Sequence, residues 1–176
     1  MINIVIINGL GFGREVASWI QLMPGYGIDF NIKGFLDDRQ IQESEFPVIG
    51  TASTYLPEPN DSVVCALSDP KLKKEYINRF QKLGASFFNC FHQTSFFDSS
   101  AKFGTGVIVG PFNTISTNSE LMDFVCIYGH SKIGHDCKIG QFTFMESHVS
   151  VDGNSLVKEE LYIHSFTKIQ KNSIYG

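Results

Sequence analysis

The sequence lacks any long apolar run and any cluster of basic residues. Its longest apolar stretches, such as Ile4–Ile7, have the length of a strand rather than of a membrane-spanning helix. No basic leader precedes that first run, so a secretory signal is not expected. The 176 residues carry 14 Lys+Arg against 18 Asp+Glu, a formal net charge of -4, which argues against nucleic acid or an anionic membrane as a partner. We therefore expect a soluble, cytoplasmic protein.

Cysteine, tryptophan and proline are also scarce. The four cysteines form no CxxC motif, so the sequence indicates neither a zinc ribbon nor a disulfide framework. With 43% hydrophobic and 18% charged residues, the composition is typical of a globular fold and not of a disordered chain. The pattern along the chain predicts two domains, residues 1–92 and 93–176.

The first domain is predicted to be a small α/β unit. Ile2–Asn8 is a β-branched run of the kind found in strands buried in a parallel sheet. A glycine turn, Gly9–Arg14, and a stretch with helical spacing follow it. A second strand, Asn31–Leu36, ends at Asp37 and Asp38. Strand, glycine turn and helix together open a Rossmann-like nucleotide-binding unit, and the two carboxylates suit the polar part of a nucleotide.

The rest of this domain follows the same alternation. Ser62–Leu67 is predicted as a strand, Asp69 as the N-cap of a helix with Pro70 at its first position, and Ala85–Phe91 as the last strand. Arg14 stands where the dinucleotide-binding fingerprint has a glycine. A dinucleotide-dependent oxidoreductase is therefore disfavoured.

The second domain is one repeat with a period of six residues. Every sixth residue from Phe97 to Tyr175 is apolar, and small or apolar residues recur four places further on. This period predicts a left-handed parallel β-helix in which three hexads close one 18-residue coil. The flat faces of such prisms are commonly covered by threefold association. Five phenylalanines at non-core hexad positions are the expected trimer contacts or the lining of the cleft between subunits: Phe112, Phe124, Phe142, Phe144 and Phe166.

Four of the five histidines fall in the repeat. His130 and His148 are 18 residues apart and should stack in consecutive coils. His135 is followed directly by Asp136, and a histidine beside a carboxylate is the usual arrangement of a general base. Surface decoration of a solenoid turn is the competing interpretation.

Five short motifs occur in a fixed order along the chain. They are GFGREV at residues 11–16, GFLDD at 34–38, PVIGT at 47–51, SDPKL at 68–72 and IGHDCKIG at 133–140. Taken together, and over essentially the whole chain, they resemble the sugar O/N-acyltransferases of the sialic-acid O-acetyltransferase and bacillosamine-type N-acetyltransferase kind.

The resemblance implies a homotrimeric enzyme that moves acetyl from acetyl-CoA to the amino group of a nucleotide-linked amino sugar, without a metal. It implies that His135 is the general base and that Asp136 raises its basicity. The contacts it implies for the nucleotide sugar are Gly11, Phe12, Gly13, Asp37, Asp38 and Ser68, and those for acetyl-CoA are Phe144 and Ser165.

Three alternatives remain open. The same base would serve O-acetylation of a sialic-acid-like sugar. Phe144 stands where the family usually has a second histidine facing CoA, which leaves a catalytically weak sugar-nucleotide-binding homologue. His130-x4-His135 has the ligand spacing of γ-class carbonic anhydrases, although the third histidine of that family would fall near Thr94.

Overall fold

The structure of the protein is a computed structural model that describes residues 1–39, 41 and 44–176. The N-terminal elements are β1 (Ile2–Ile7), α1 (Phe12–Gln21), β2 (Phe30–Leu36), β3 (Val48–Gly50), β4 (Asp61–Cys65), α2 (Pro70–Lys82) and β5 (Ser86–Phe87). The five strands form a parallel sheet in the order β3-β2-β1-β4-β5. The central strand β1 is buried on both faces, which explains its unbroken β-branched run.

Local sequence signals place helix α2 where the sequence predicts it. The side chain of Asp69 accepts hydrogen bonds from the backbone N–H groups of Lys71 and Leu72, at 2.8 and 3.0 Å, and Pro70 occupies the first helical position. Gly84, just past the helix, has φ +73°, a left-handed conformation that glycine adopts without strain.

The strand predicted over Ala85–Phe91 is wrong, because the chain changes sheets there. Only Ser86–Phe87 pairs with β4, whereas the N–H of Cys90 already bonds to the carbonyl of Val107 in the next structure. Asn89 makes the break: its side chain donates to the carbonyl of Gly104 and accepts from the N–H of Val107. A side chain that replaces backbone partners ends the strand pairing.

The remainder of the chain is a triangular prism of fifteen two-residue strands, one for each hexad. Face I consists of Cys90–Phe91, Ile108–Val109, Cys126–Ile127, Phe144–Met145 and Tyr162–Ile163. Face II consists of Phe96–Phe97, Thr114–Ile115, Lys132–Ile133, Ser150–Val151 and Lys168–Ile169. Face III consists of Lys102–Phe103, Glu120–Leu121, Lys138–Ile139, Leu156–Val157 and Ile174–Tyr175. Within each face the strands pair in parallel with partners 18 residues away, so the predicted coil length is confirmed.

The division at residue 92 remains a prediction. The pairing of Cys90–Phe91 with Ile108–Val109 puts the first β-helix strand just before that division.

The edges of the prism are formed by residues with left-handed backbone conformation. Every sixth residue from Phe112 to Asn172 has φ between 53° and 64°. The edge between faces I and II carries Phe112, His130, His148 and Phe166; the edge between II and III carries Asn118, Asp136, Asn154 and Asn172; the edge between III and I carries Phe124, Phe142 and Glu160. Asn and Asp tolerate this conformation, whereas for a bulky aromatic residue it is unfavourable.

The N-terminal domain packs against face I. Trp19 of α1 shares one hydrophobic core with Ile108, Cys126 and Phe144 of that face. Gly110 permits the close approach, since a Cβ atom there would lie 2.6 Å from the Trp19 ring. Within the described ranges, no helix has the length and apolarity needed to cross a membrane.

Candidate active site

His135 lies at the edge between faces II and III, directly before the turn residue Asp136. Its Nδ1 atom is 2.8 Å from Oδ2 of Asp136. The carboxylate also accepts a hydrogen bond from the side-chain amide of Asn118, one coil below, and these two contacts, the histidine first, lower the pKa of Asp136. A carboxylate bound to Nδ1 favours the tautomer in which Nε2 is free to accept a proton.

The surroundings of His135 leave its ring accessible. The side chain is 52% exposed and borders a hollow of about 300 Å³. Gly153, one coil above, makes room for the ring, because a Cβ atom there would lie 2.5 Å from Nε2 of His135. Lys132, Lys171 and Asp152 line the same hollow, so two positive charges and one negative charge lie beside the imidazole.

A second hollow, of about 330 Å³, lies at the carboxyl ends of β1, β2 and β4. Asn8, Asp37, Asp38, Arg39 and Tyr76 contribute its polar lining. The carboxyl ends of parallel strands, where the strand order reverses, are the usual place of a nucleotide in α/β folds. Both predicted carboxylates therefore lie in the hollow that suits a nucleotide.

The two carboxylates of this hollow differ in their environment. Asp37 is buried and accepts hydrogen bonds from the N–H of Gly9 at 2.7 Å and from two nitrogens of Arg39 at 2.8 and 2.7 Å. The Arg39 guanidinium, helped by the Gly9 N–H and opposed by burial, lowers the pKa of Asp37 to about 2. Asp38 is exposed at the rim. Asp37 thus holds the glycine turn in place, whereas Asp38 faces solvent at the mouth of the hollow.

The glycine turn is shaped by packing. A Cβ atom at residue 13 would lie 1.7 Å from the carbonyl oxygen of Asn8, so only glycine lets helix α1 start this close to β1. Gly11 caps α1 with φ +46°, and a Cβ atom built on it would meet no neighbouring heavy atom within 4 Å, so the backbone conformation and not the space is what favours glycine there. The turn connects the nucleotide hollow, through Asn8, to Phe12 at the first position of α1.

Phe12 enters a third hollow, which we call the aromatic cleft, of about 270 Å³ between the N-terminal domain and face I. It is lined by Phe12, Ser68, Tyr128, Phe144, Glu146, Ser147, Tyr162 and Ser165. Four of these side chains are sequence-predicted site residues. Phe12 and Ser68 are predicted to contact the acceptor and Phe144 and Ser165 to contact acetyl-CoA, and the fold brings both pairs to one place.

Aromatic rings form the walls of the cleft. The Phe12 ring lies 5.6 Å from the Phe144 ring and 5.4 Å from the Tyr128 ring, measured between centroids, and Phe144 stacks on Tyr162 at 5.3 Å. Lys73, only 1% exposed, approaches the Phe144 ring to 5.6 Å. Aromatic walls combined with polar groups are typical of a small-molecule site.

The cleft also contains a carboxylate that the sequence analysis missed. Glu146 accepts hydrogen bonds from the hydroxyl of Tyr162 and from the backbone N–H of Ser165, the latter at 2.7 Å. These donors, Tyr162 first, lower the pKa of Glu146, and Glu146 raises the pKa of Tyr162 to about 12. The sequence does contain a sign of this carboxylate: Tyr128, Glu146 and His164 are 18 residues apart, so three polar side chains occupy the same position of face I in successive coils.

The base and the aromatic cleft lie on opposite sides of one chain. The cleft is on face I, whereas His135 is at the edge between faces II and III, which in a triangular prism is the edge opposite face I. The two hollows share no lining residue. One chain therefore does not bring its own His135 to its own cleft.

His130 belongs to a different arrangement. The rings of Phe112, His130, His148 and Phe166 form a continuous stack with centroid spacings of 4.9, 5.1 and 5.0 Å, so the predicted stacking of the two histidines is confirmed. His130 and His135 occupy different edges. In the described part of the chain no three His, Cys, Asp or Glu side chains come together as a metal-binding group.

Comparison with known proteins identifies relatives of this chain. A family model for the PglD N-terminal domain matches residues 3–80. GDP-perosamine N-acetyltransferase of Escherichia coli O157:H7 is 26% identical over 176 aligned residues, which cover 96% of this chain and 79% of the relative.

Solved structures share the complete fold. PerB from Caulobacter crescentus, in complex with CoA and GDP-perosamine, superposes with a TM-score of 0.77 at 20% identity. The alignment covers 99% of the present chain and 91% of PerB. The acetyltransferase domain of PglB from Neisseria gonorrhoeae, in complex with acetyl coenzyme A, has a TM-score of 0.60 at 22% identity. This alignment covers 93% of the present chain and 92% of the PglB domain.

The predicted Rossmann-like domain followed by a left-handed β-helix is confirmed. The motif resemblance is confirmed as well: the chain is a homologue of GDP-perosamine N-acetyltransferase, and its residues 3–80 match the PglD N-terminal domain.

Proposed function

We propose that this protein transfers the acetyl group of acetyl-CoA to the amino group of a nucleotide-linked amino sugar, with GDP-perosamine or a close analogue as the acceptor. The observation that supports this most is the aromatic cleft, which joins the predicted acceptor residues Phe12 and Ser68 to the predicted acetyl-CoA residues Phe144 and Ser165. The relative that acetylates GDP-perosamine, and PerB with CoA and GDP-perosamine bound, suggest the sugar and the donor.

The proposed acceptor spans the two hollows of the N-terminal domain. The nucleotide lies beside Asp38 in the hollow at the strand ends, and the sugar lies in the aromatic cleft beside Phe12 and Ser68. The turn through Gly11 and Gly13 lies between them, at the amino end of a ten-residue helix. Such a helix end favours the negative charge of a diphosphate.

The proposed general base comes from another copy of the chain. Because His135 lies opposite the cleft of its own chain, a complete site requires the His135 hollow of one protomer to face the cleft of the next. The exposed aromatic edge supports association: Phe112 and Phe166 are 57% and 78% exposed and hold unfavourable left-handed conformations. The expectation of a subunit contact is wrong for Phe124 and Phe142, which are buried beneath the N-terminal domain of their own chain. In a cyclic trimer, the neighbouring protomer would bury the exposed Phe112 and Phe166 edge of each chain.

The proposed reaction is direct transfer without a covalent enzyme intermediate. The sugar nitrogen attacks the thioester carbonyl carbon, and Nε2 of His135 takes the proton that the nitrogen loses. The new C–N bond forms, the C–S bond breaks, and the departing sulfur receives that proton to give free CoA. Asp136 holds the ring in its proton-accepting tautomer and stabilises the imidazolium. Lys132 and Lys171 place positive charge where a phosphate-bearing substrate approaches.

The proposed compartment is the cytoplasm. All four cysteines are buried as free thiols, as is ordinary for a protein of a reducing compartment.

The test is an acetyl-transfer assay on the purified protein with GDP-perosamine and acetyl-CoA. Release of free CoA thiol and a product heavier by one acetyl group, both dependent on enzyme, are the expected results. Preferential acetylation of a hydroxyl on a sialic-acid-like sugar would support the O-acetyltransferase alternative instead. Calorimetry that detects binding of the nucleotide sugar but none of acetyl-CoA would support a non-catalytic homologue.

A further inference from the structure

One carboxylate lies among the aromatic walls of the cleft. Of the eight residues that line it, Glu146 is the single acid, and its side chain stays partly exposed. Tyr162 and Ser165 fix its position from the side of the last coils. The Phe12, Tyr128 and Phe144 rings lie around the same space. A carboxylate beside several aromatic faces is the chemistry that recognises a cation.

We propose that Glu146 is the residue that receives the ammonium group of the acceptor sugar and makes the enzyme selective for an amino over a hydroxyl acceptor. This inference rests on the proposed function and names the side chain that recognises its acceptor. It assigns to Glu146 a role in binding and orientation. The bound ammonium first releases one proton to solvent to give the amine that attacks, and His135 of a neighbouring protomer takes the second proton, which passes to the departing sulfur.

The position of Glu146 suits this role because it lies between donor and acceptor groups. On one side are Phe12 and Ser68 of the N-terminal domain, and on the other is Ser165, whose N–H and hydroxyl both bind a single oxygen of Glu146, at 2.7 and 3.1 Å. An ammonium held there lies where the proposed sugar and thioester meet.

The electrostatic environment of Glu146 suits a counter-ion for the ammonium group better than it suits a general base. Hydrogen bonds from Tyr162 and Ser165 lower the pKa of Glu146, so the group is ionised at neutral pH and holds a proton poorly. The basic side chains near it are His164, whose Nδ1 is 3.7 Å away, and Lys73, which is buried against Phe144. His164 is largely exposed, and an entering ammonium displaces it from Glu146 more easily than it displaces the backbone N–H.

The inference predicts a loss of selectivity in Glu146→Gln, which keeps the shape and removes the charge. Removing a charged hydrogen-bond partner changes affinity by about 10- to 100-fold. We expect the Kd of GDP-perosamine to rise by about that factor. The Kd of a GDP-deoxyhexose with a hydroxyl in place of the amine should change less than about threefold, since a neutral hydroxyl gains little from the charge.

Two control variants make the experiment specific. Glu159→Gln makes the same chemical change in the neighbouring coil, where Glu159 is exposed and pairs with Gln141 outside the cleft, and it should bind both ligands as the parent does. Tyr162→Phe removes one donor to Glu146 but keeps the carboxylate, and it should retain the preference for the amine. Circular dichroism and sedimentation establish that each variant is folded and assembled as the parent is.

The outcomes separate this inference from the proposed function. If the parent protein acetylates GDP-perosamine and Glu146→Gln loses the preference for the amine, the inference holds. If the parent is active and the variant keeps its preference, or loses affinity for both ligands equally, Glu146 does not recognise the ammonium group. If the parent acetylates no amino sugar, the proposed function fails independently of the variant.

Discussion

Nδ1 of His135 lies 2.8 Å from the carboxylate of Asp136, its immediate neighbour in the sequence. Adjacent residues of an extended chain point to opposite sides, so this contact needs a turn. Asp136 provides it with a left-handed backbone conformation, φ 55°, that recurs at every prism edge. The β-helix repeat thus creates the His–Asp pair.

The first prediction concerns turnover by His135→Ala. Loss of a general base lowers the rate by about 10²- to 10⁴-fold, and we expect kcat to fall within that range. Stability should change little, because half of the side chain is exposed. His148→Ala, in the stack at another edge, is the matched histidine variant and should lose far less. Steady-state kinetics and thermal unfolding of both variants provide the measurement. Equal losses of kcat in the two variants would contradict His135 as the general base and would make the His130–His148 stack the better candidate.

The hexad pattern allowed most of the fold to be predicted, whereas the N-terminal boundaries of the repeat were partly missed. Apolar residues point into the prism at every sixth position, so Phe97 to Tyr175 specified the coils directly. The switch of sheets after Phe87 depends on side-chain bonds of Asn89, and no periodicity reveals these.

The candidate site was predictable in its parts but not in its assembly. The fold brings Phe12 next to Phe144, which is 132 residues later in the chain, and only packing of α1 on face I explains that contact. The separation of His135 from the cleft could not be read from motifs, since a motif specifies a turn and not the face opposite to it. Glu146 was missed because its donors, Tyr162 and Ser165, come from the next coil.

The second prediction tests whether protomers share the site. Ser68→Trp should fill the aromatic cleft, and His135→Ala should remove the base, so each variant alone should be inactive. In a cyclic trimer, co-expression of the two at equal levels gives mixed trimers in which one junction pairs an intact cleft with an intact His135. About a quarter of wild-type activity should return.

Differently tagged copies allow the mixed trimers to be purified and assayed. Sedimentation should give about three times the chain mass of 19.7 kDa. A monomer at micromolar concentration, or mixed preparations as inactive as both parents, would contradict a site made by two protomers.

The third prediction separates the two carboxylates of the nucleotide hollow. Asp38 is exposed at the rim, so Asp38→Ala should weaken binding of the nucleotide sugar without affecting acetyl-CoA. Because solvent competes for the exposed Asp38 carboxylate, we expect its hydrogen bond to contribute about 1 kcal/mol, which corresponds to a Kd about fivefold higher in the variant. Calorimetry with each ligand measures this directly. An equal loss of affinity for both ligands would indicate general misfolding and remove the assignment.

The fourth prediction concerns Asp37 and acid stability. Its pKa is lowered to about 2 in the folded chain, chiefly by Arg39, from an ordinary value of 3.8. A depressed folded-state pKa stabilises the protein above the unfolded value, and this stabilisation disappears as the pH falls from about 4 to about 2. Because Arg39 is 58% exposed and solvent screens part of the interaction, we expect Asp37→Asn to reduce the free energy of unfolding by about 1–2 kcal/mol at neutral pH.

Urea unfolding at a series of pH values provides the measurement. The stability difference between the parent and Asp37→Asn should be constant from neutral pH down to about pH 5 and should shrink below about pH 4. Asp38→Asn, one residue away and exposed, should differ from the parent by less than about 0.5 kcal/mol throughout. A difference for Asp37→Asn that persisted unchanged near pH 2 would mean that lost packing or hydrogen bonding of the Gly9 turn, and not the charge of Asp37, accounts for its contribution.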